Sequence, residues 1–212
     1  HPALQGPVEI DRDFIFERGD PAKIADGIGR SGADVIAFSV YVWNRELSLA
    51  TARELVLAYP HVRIVFGGPS VPEESEAFLR EHKAVGVCVH GEGEETFARY
   101  LADPDDLSVP GTSRIVWGQG QPPTSPYHRA PARPREANLD RFPSPYLSGI
   151  FETILAKPYR FQGIWEGARG CPYSCTFCDW GSAVGTKIHA FSIDRLRAEL
   201  AWFEEKRIGH LY

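Results

Sequence analysis

The 212-residue sequence contains no methionine, not even at position 1, and we therefore expect a fragment of a longer chain. No apolar run reaches the roughly 18 residues that cross a bilayer, and the amino terminus lacks the charged and apolar regions of a signal peptide. Basic residues are outnumbered, giving a net charge of −5, which argues against general binding of nucleic acid. These absences predict a cytoplasmic protein with no membrane or nucleic-acid partner.

Apolar residues are abundant, at 43% hydrophobic and 12% aromatic, so a disordered chain is excluded. From Asp20 to about Ala102, strand-like and helix-like segments alternate, which is the pattern of a parallel sheet covered by helices. The predicted strands are residues 34–40, 61–66 and 85–89. The predicted helices are residues 21–29 and 47–59, one that begins at Pro72, and one that carries Phe97 and Leu101. The sequence therefore predicts an α/β fold.

Nine prolines between positions 104 and 145 exclude helix from most of that stretch. We interpret it as a proline-rich linker, with a small hairpin near residues 113–117. Beyond it, residues 161–165 are typical of a strand, and His210 to Tyr212 of the start of another.

A helix capped by Ser192 lies between these two strand-like segments. Its apolar stripe is predicted at Leu196, Leu200 and Phe203, and the opposite side, with Glu199, Glu204 and Glu205, is predicted to face water.

Three of the four cysteines lie within eight residues, at Cys171, Cys175 and Cys178. They suit a metal better than a disulfide framework. Thiolates at this spacing can bind one 4Fe-4S cluster if the backbone curls around it, and Gly170, Pro172 and Gly181 favour that curl. One iron would then lack a protein ligand and could bind a substrate or cofactor directly.

A structural zinc site is the alternative interpretation of this loop, and it needs four ligands. The fourth would be Cys88, His189 or His210. Cys88 lies within a predicted strand, where a small buried thiol is the simpler interpretation.

The cysteine loop, with Phe177 just before its last cysteine and placed between a strand and a helix, resembles the radical S-adenosylmethionine superfamily. This resemblance implies that Cys171, Cys175 and Cys178 bind the cluster and that Phe177 packs near the adenine of S-adenosylmethionine. It further implies one-electron cleavage of S-adenosylmethionine to a 5′-deoxyadenosyl radical. The electron would come from a donor such as flavodoxin or ferredoxin.

The α/β region upstream resembles the cobalamin-binding domain that precedes the radical barrel in one subgroup of this superfamily. The matching positions follow the three predicted strands, where ligands bind to parallel sheets. The resemblance implies cobalamin contacts by Ser39, Tyr41, Gly67, Gly68, Pro69, Gly91, Glu92 and Gly93. The sequence has no Asp-x-His-x-x-Gly motif, so a lower cobalt ligand would not be that histidine.

Together these resemblances imply a Rossmann-like B12-binding domain at residues 1–105, a linker at 106–150, and the first part of a radical SAM (β/α) partial barrel at 151–212. The expected function is a cobalamin-dependent methyltransferase that acts on an unactivated carbon of a small-molecule or peptide substrate. The alternatives are a rearrangement or cyclisation enzyme with the same cofactors and a non-catalytic metal-binding module.

Overall fold

The computed structural model describes Leu4 and residues 19–116, 126–178 and 187–212. These described residues form two compact units, which divide between Pro134 and Arg135. Within the described ranges, no helix has the length and apolar character required to span a bilayer.

The first unit is an α/β sheet domain. Its described elements are α1 (Pro21–Gly29), β1 (Val35–Ser39), α2 (Arg45–Ala58), β2 (Arg63–Gly67), α3 (Glu76–Glu81), β3 (Val87–Val89), α4 (Gly93–Ala102), β4 (Thr112–Ile115) and β5 (Tyr127–Arg129). The strand order is β1-β2-β3-β4-β5, in which the first three strands are parallel and the last two antiparallel. The predicted α/β fold is confirmed.

The helix starts show which local signals are strong enough to set an element boundary. α1 occupies the predicted residues 21–29, because the Asp20 carboxylate accepts hydrogen bonds from the first-turn amides of Ala22 and Lys23. α3 begins at Glu76 and not at the predicted Pro72. Ser75 precedes it, and the Ser75 hydroxyl bonds to Ser113 2.6 Å away instead of capping the helix.

The core of the first unit lies on both faces of the sheet. One cluster includes Ile64, Phe66 and Cys88 packed against Leu55 of α2. A second cluster on the other face is built around Val65 and neighbouring side chains of β3 and α4. Because alternate residues of β2 point to opposite faces, burial on both sides explains its continuous apolar run.

The stretch interpreted as a linker contributes β4 and β5 to this sheet. β4 pairs with β5 in the antiparallel direction expected of the predicted hairpin, whose turn lies outside the described residues. β4 also pairs with β3 through the register Cys88↔Ser113 and Val89↔Thr112. Proline is tolerated there because it lies outside the paired residues 112–115 and 127–129. The division of the chain into a B12-binding domain (1–105), a linker (106–150) and the first part of a radical SAM barrel (151–212) stays a prediction.

The second unit contains a 3-10 turn (Leu139–Arg141), α5 (Glu152–Leu155), β6 (Ala168–Arg169), β7 (His189–Ala190) and α6 (Ile193–Glu205). The Ser192 side chain accepts a hydrogen bond from the Arg195 amide, so the predicted cap of α6 is confirmed. The strand-like segments around Gly163 and Leu211 pair in parallel, with Gly163 donating to the His210 carbonyl at 2.9 Å.

The predicted orientation of α6 is wrong at two adjacent positions, Glu199 and Leu200. Glu199 was expected to face water, yet it is 2% exposed, while Leu200 is 43% exposed. Trp165 Nε1 donates to Glu199 Oε2 at 2.8 Å, and Arg195 Nε donates to Glu199 Oε1 at 3.0 Å. The carboxylate is buried because both of its oxygens are paired, so the helix turns Glu199 towards Trp165 and leaves Leu200 outside.

We expect Glu199→Leu to lower the free energy of unfolding by roughly 3–5 kcal/mol, because the half-buried Arg195 Nε–H and the Trp165 N–H would both lose their acceptor. Urea unfolding followed by circular dichroism measures this. Glu204→Leu changes an exposed residue of the same helix and should stay within about 0.5 kcal/mol of the original chain. Equal losses in the two variants would show that the ion pair does not stabilise the unit.

Candidate cofactor-binding sites

Three loops meet at one edge of the first unit because three parallel strands end there. Ser39 is in register with Gly67, and the Val40 amide donates to the Gly67 carbonyl at 2.7 Å. The Ser70 amide returns a hydrogen bond to the Val40 carbonyl at 3.1 Å. β3 lies beside β2 in the same direction. The sheet therefore brings together the first loop (residues 39–44), the second loop (67–75) and the third loop (90–93).

The first loop carries an exposed aromatic surface. The rings of Tyr41 and Trp43 stack with centroids 4.6 Å apart and planes only 8° from parallel. Trp43 is 67% exposed and Val42 is 81% exposed. Side chains this large and apolar rarely face water without a partner, so this surface suits a flat, partly apolar ligand.

Asn44 holds the first loop in place, a role that the sequence analysis missed. Its Oδ1 accepts from the Tyr41 amide at 2.8 Å, and its Nδ2 donates to the Ser39 carbonyl at 2.9 Å. An asparagine just before a helix is a common sequence signal for such a local turn.

The second loop passes the first one so closely that glycine is required at Gly68. Its φ is +106°, and a Cβ atom there would lie 2.7 Å from the Val40 carbonyl oxygen. Pro69 follows on the exposed side of the turn. The contact keeps the second loop flat against the end of β1, with Gly68 and Pro69 accessible to a ligand.

The third loop begins at His90 and leads into α4. Gly91 has a φ of +69°, and the space around its Cα is open. Glu92 forms an ion pair with Arg133 at 3.3 Å, and both side chains are mostly buried. Glu92 therefore holds the loop to the rest of the unit, while the Gly91 backbone faces open space.

The cysteine loop of the second unit is closed at its base by β6 and β7. These strands pair through Ala168↔Ala190 and Arg169↔His189. Gly170 has a φ of +115°, and a Cβ there would lie 2.5 Å from the Lys187 carbonyl oxygen. The tight approach of the two ends explains why glycine precedes the first cysteine.

The three loop cysteines are accessible thiols. Cys175 is exposed, Cys171 and Cys178 are half-buried, and none forms a disulfide. The Cys178 amide donates to the Cys175 carbonyl at 3.1 Å, and this hydrogen bond forms a turn that brings the two backbones together. Phe177 is 90% exposed, so its ring is free of internal packing. Exposed or half-buried thiols that form no disulfide fit the chemistry of metal ligands.

Convergence of the three thiols stays a prediction. In the part of the chain that the structure describes, no three His, Cys, Asp or Glu side chains are grouped closely enough to hold a metal ion. Gly181, which was expected to favour the curl of this loop, lies outside the described residues.

Cys88 is a poor metal ligand. The residue is 0% exposed in β3, and burial raises the pKa of its thiol to about 12. Because metals bind the thiolate, this shift opposes metal binding. The other two candidates for a fourth zinc ligand lie in the second unit. His189 is in β7, and the His210 ring packs against the Tyr212 ring with centroids 4.5 Å apart.

Comparisons with known proteins agree with this architecture. Residues 8–101 match the B12 binding domain family. Two curated relatives are each 38% identical over 93% of this chain. They are a 2-(S-pantetheinyl)-carbapenam-3-carboxylate methyltransferase from Streptantibioticus cattleyicolor and the cobalamin-dependent radical SAM methyltransferase TokK from Streptomyces tokunonensis. The predicted resemblance to the cobalamin-dependent radical SAM family is confirmed.

The solved radical S-adenosylmethionine methyltransferase TsrM from Kitasatospora setae, which holds tryptophan and a SAM analog, has a similar fold. The two structures match with a TM-score of 0.60 and 17% sequence identity. The match covers 91% of this chain and 39% of the TsrM chain. The chain spans about 30% of the length of the two curated relatives. The family match extends over α1 to α4 and thus includes all three loops at the sheet edge.

We expect Gly68→Ala to destabilise the first unit by roughly 1–3 kcal/mol, because alanine is strained at this φ and its methyl group would overlap the Val40 carbonyl. Thermal or urea unfolding measures the effect. Gly27→Ala is the matched control, since nothing lies within 4 Å of the new methyl group. That change within α1 should be neutral or stabilise by up to about 1 kcal/mol. Two equal effects would contradict the steric explanation.

Proposed function

We propose that this chain is the cofactor-binding portion of a cobalamin-dependent radical S-adenosylmethionine methyltransferase. The observation that carries the proposal is the presence, in one chain, of a B12 binding domain followed by a three-cysteine loop closed by β6 and β7. Similarity to two methyltransferases over 93% of the chain supports it further.

The first unit would hold the corrin at the ends of β1, β2 and β3. Gly67, Gly68 and Gly91 keep this edge free of bulky side chains, so that backbone can approach a flat macrocycle. The stacked Tyr41 and Trp43 rings offer an apolar surface of matching shape. Ser39 and Pro69 lie on the accessible side of the same edge.

The second unit would hold the cluster through Cys171, Cys175 and Cys178. With only three cysteine ligands, a 4Fe-4S cluster would be able to bind S-adenosylmethionine directly. The exposed Phe177 ring would pack against the adenine. When bound, these cofactors supply the transferred methyl group and the one-electron chemistry that generates a substrate radical.

The substrate would be a small molecule that is methylated at an unactivated carbon. The name of one relative describes a carbapenam carboxylate substrate, which favours a small molecule over a peptide. A one-electron donor such as flavodoxin or ferredoxin would reduce the cluster. In a protein that carries this chain at the length of its relatives, methyl-labelled S-adenosylmethionine should give labelled product, whereas an unlabelled isomer would indicate rearrangement.

Anaerobic reconstitution with iron and sulfide tests the cluster. We expect about four irons and four sulfides per chain with broad visible absorption, and loss of that absorption in Cys171→Ala, Cys175→Ala and Cys178→Ala. Cys88→Ala is the control and should retain the cluster, because that thiol is buried in the sheet. A colourless protein that retains one zinc would contradict the proposal.

Gel filtration after incubation with hydroxocobalamin tests the corrin site. We expect corrin absorption to elute with the chain and to be lost in Ser39→Trp, because the exposed Ser39 side chain lies at the loop edge and an indole would fill the space for the ligand. Leu57→Trp introduces the same side chain on the exposed surface of α2, and corrin should still bind. Absence of corrin from the original chain would contradict the assignment.

A further inference from the structure

Four polar side chains of the first unit form a continuous hydrogen-bonded series, here called the His90 network. His90 Nε2 lies 2.8 Å from Ser113 Oγ, which lies 2.6 Å from Ser75 Oγ, and Ser75 Oγ lies 3.2 Å from the Tyr127 hydroxyl. Both serines are 0% exposed, and the His90 side chain is 8% exposed. Buried polar groups in such a series fix the positions of the backbones that carry them.

The members of the network come from three separate parts of the unit. Ser75 ends the second loop, and His90 begins the third. Ser113 and Tyr127 belong to β4 and β5, and Ser113 is in register with Cys88 of β3. The His90 amide also donates to the Gly111 carbonyl at 2.8 Å. The antiparallel strands thus connect two loops that are far apart in sequence.

A second connection joins the same loops through Glu73. Arg129 of β5 donates to the Glu73 carbonyl and to the Glu73 carboxylate, and more weakly to Glu74 at 3.4 Å. The other Glu73 oxygen lies 3.8 Å from His90 Nδ1. Both ring nitrogens of His90 therefore face residues that position the second loop.

The neutral imidazole fits this arrangement with one consistent direction of donation. If Nδ1 carries the proton and faces Glu73, Nε2 accepts from the Ser113 hydroxyl. Ser113 then accepts from Ser75, and Ser75 accepts from Tyr127. Each hydroxyl donates once, so the buried serines have no unsatisfied proton.

We propose that His90, Ser113 and Ser75 are positioning residues that fix the second and third loops relative to each other and thereby set the affinity of this edge for a corrin. This inference rests on the proposed function, because the corrin is the ligand assigned to these loops. None of the three needs to contact the ligand itself.

Protonation of His90 would disturb the network. The imidazole is faced by Ser113 of β4, Arg129 of β5, and Glu73 and Glu74 of the second loop. Burial lowers the pKa of His90, against the opposing effect of Glu73. Because folding lowers the pKa of this histidine, the folded state loses stability as the pH falls below about 6.5, where the unfolded chain binds more protons. The charged ring would also donate from Nε2, which reverses the His90–Ser113 hydrogen bond and leaves the Ser113 hydroxyl proton without its imidazole acceptor.

Isothermal titration of the chain with cyanocobalamin tests the proposal. We expect His90→Gln, Ser113→Ala and Ser75→Ala each to weaken binding about tenfold, the effect of losing one buried hydrogen bond. The double variant of His90 and Ser75 should lose less than the product of the single effects, because both act through Ser113. Tyr127→Phe removes only the hydroxyl that bonds to Ser75 and keeps the half-buried ring. It therefore tests the network in a variant whose core is intact.

His128→Gln and Ser108→Ala are matched controls. They change the same residue types outside the network, where His128 contacts the Leu107 carbonyl and Ser108 contacts Asp106. Both should bind cyanocobalamin like the original chain. The affinity of the original chain should fall between about pH 7.5 and about pH 5.5, while that of His90→Gln should change little over this range.

The outcomes separate this inference from the proposed function. Failure of the original chain to bind cyanocobalamin at either pH would overturn the corrin site and with it the role of the network. Normal binding by the original chain and by all four network variants, including Tyr127→Phe, would leave the corrin site intact and overturn the positioning role. Weaker binding by the controls as well as the network variants would also overturn it.

Discussion

The parallel pairing of β1, β2 and β3 is the constraint on which the candidate corrin site depends. Hydrogen bonds between parallel strands fix where each strand ends, so the loops that follow them must leave the sheet at the same edge. The close approach of Gly68 to the Val40 carbonyl exists only because Ser39 and Gly67 are in register. The paired strands of the sheet therefore determine where the loop residues lie relative to one another at this edge.

The cysteine loop is positioned in a different way. A ladder of only two residue pairs closes its base, and a glycine with positive φ lies at the start of the loop. Such a short ladder orders few backbone groups, so most of the stability of the loop must come from elsewhere in the second unit or from a bound metal. In the proposed function, a bound cluster would add to the stability of this loop, whereas the pairing of β1, β2 and β3 already fixes the sheet edge.

Local pattern was sufficient to predict the elements whose signals are local. The cap at Asp20 fixed α1, and the apolar runs predicted the three parallel strands and hence the convergence of their loops. The predictions were wrong where a residue distant in sequence determines the position of a side chain. Ser75 bonds Ser113, 38 positions away, and does not cap α3; Glu199 is buried because Trp165, 34 positions away, donates to it. Side-chain pairing across such distances has no periodicity in the sequence.

The four cysteines show how the fold distinguishes one thiol from another of the same chemical type. Cys88 fills space between the sheet and its helices, and its burial raises the pKa of the thiol to about 12. Ionising it would place a charge in an apolar core, which opposes metal coordination at that position. The loop thiols lie outside the core clusters of the described residues; Cys175 is exposed, and Cys171 and Cys178 are half-buried. If the loop cysteines bind iron as proposed, the buried Cys88 thiol of the sheet would not compete with them.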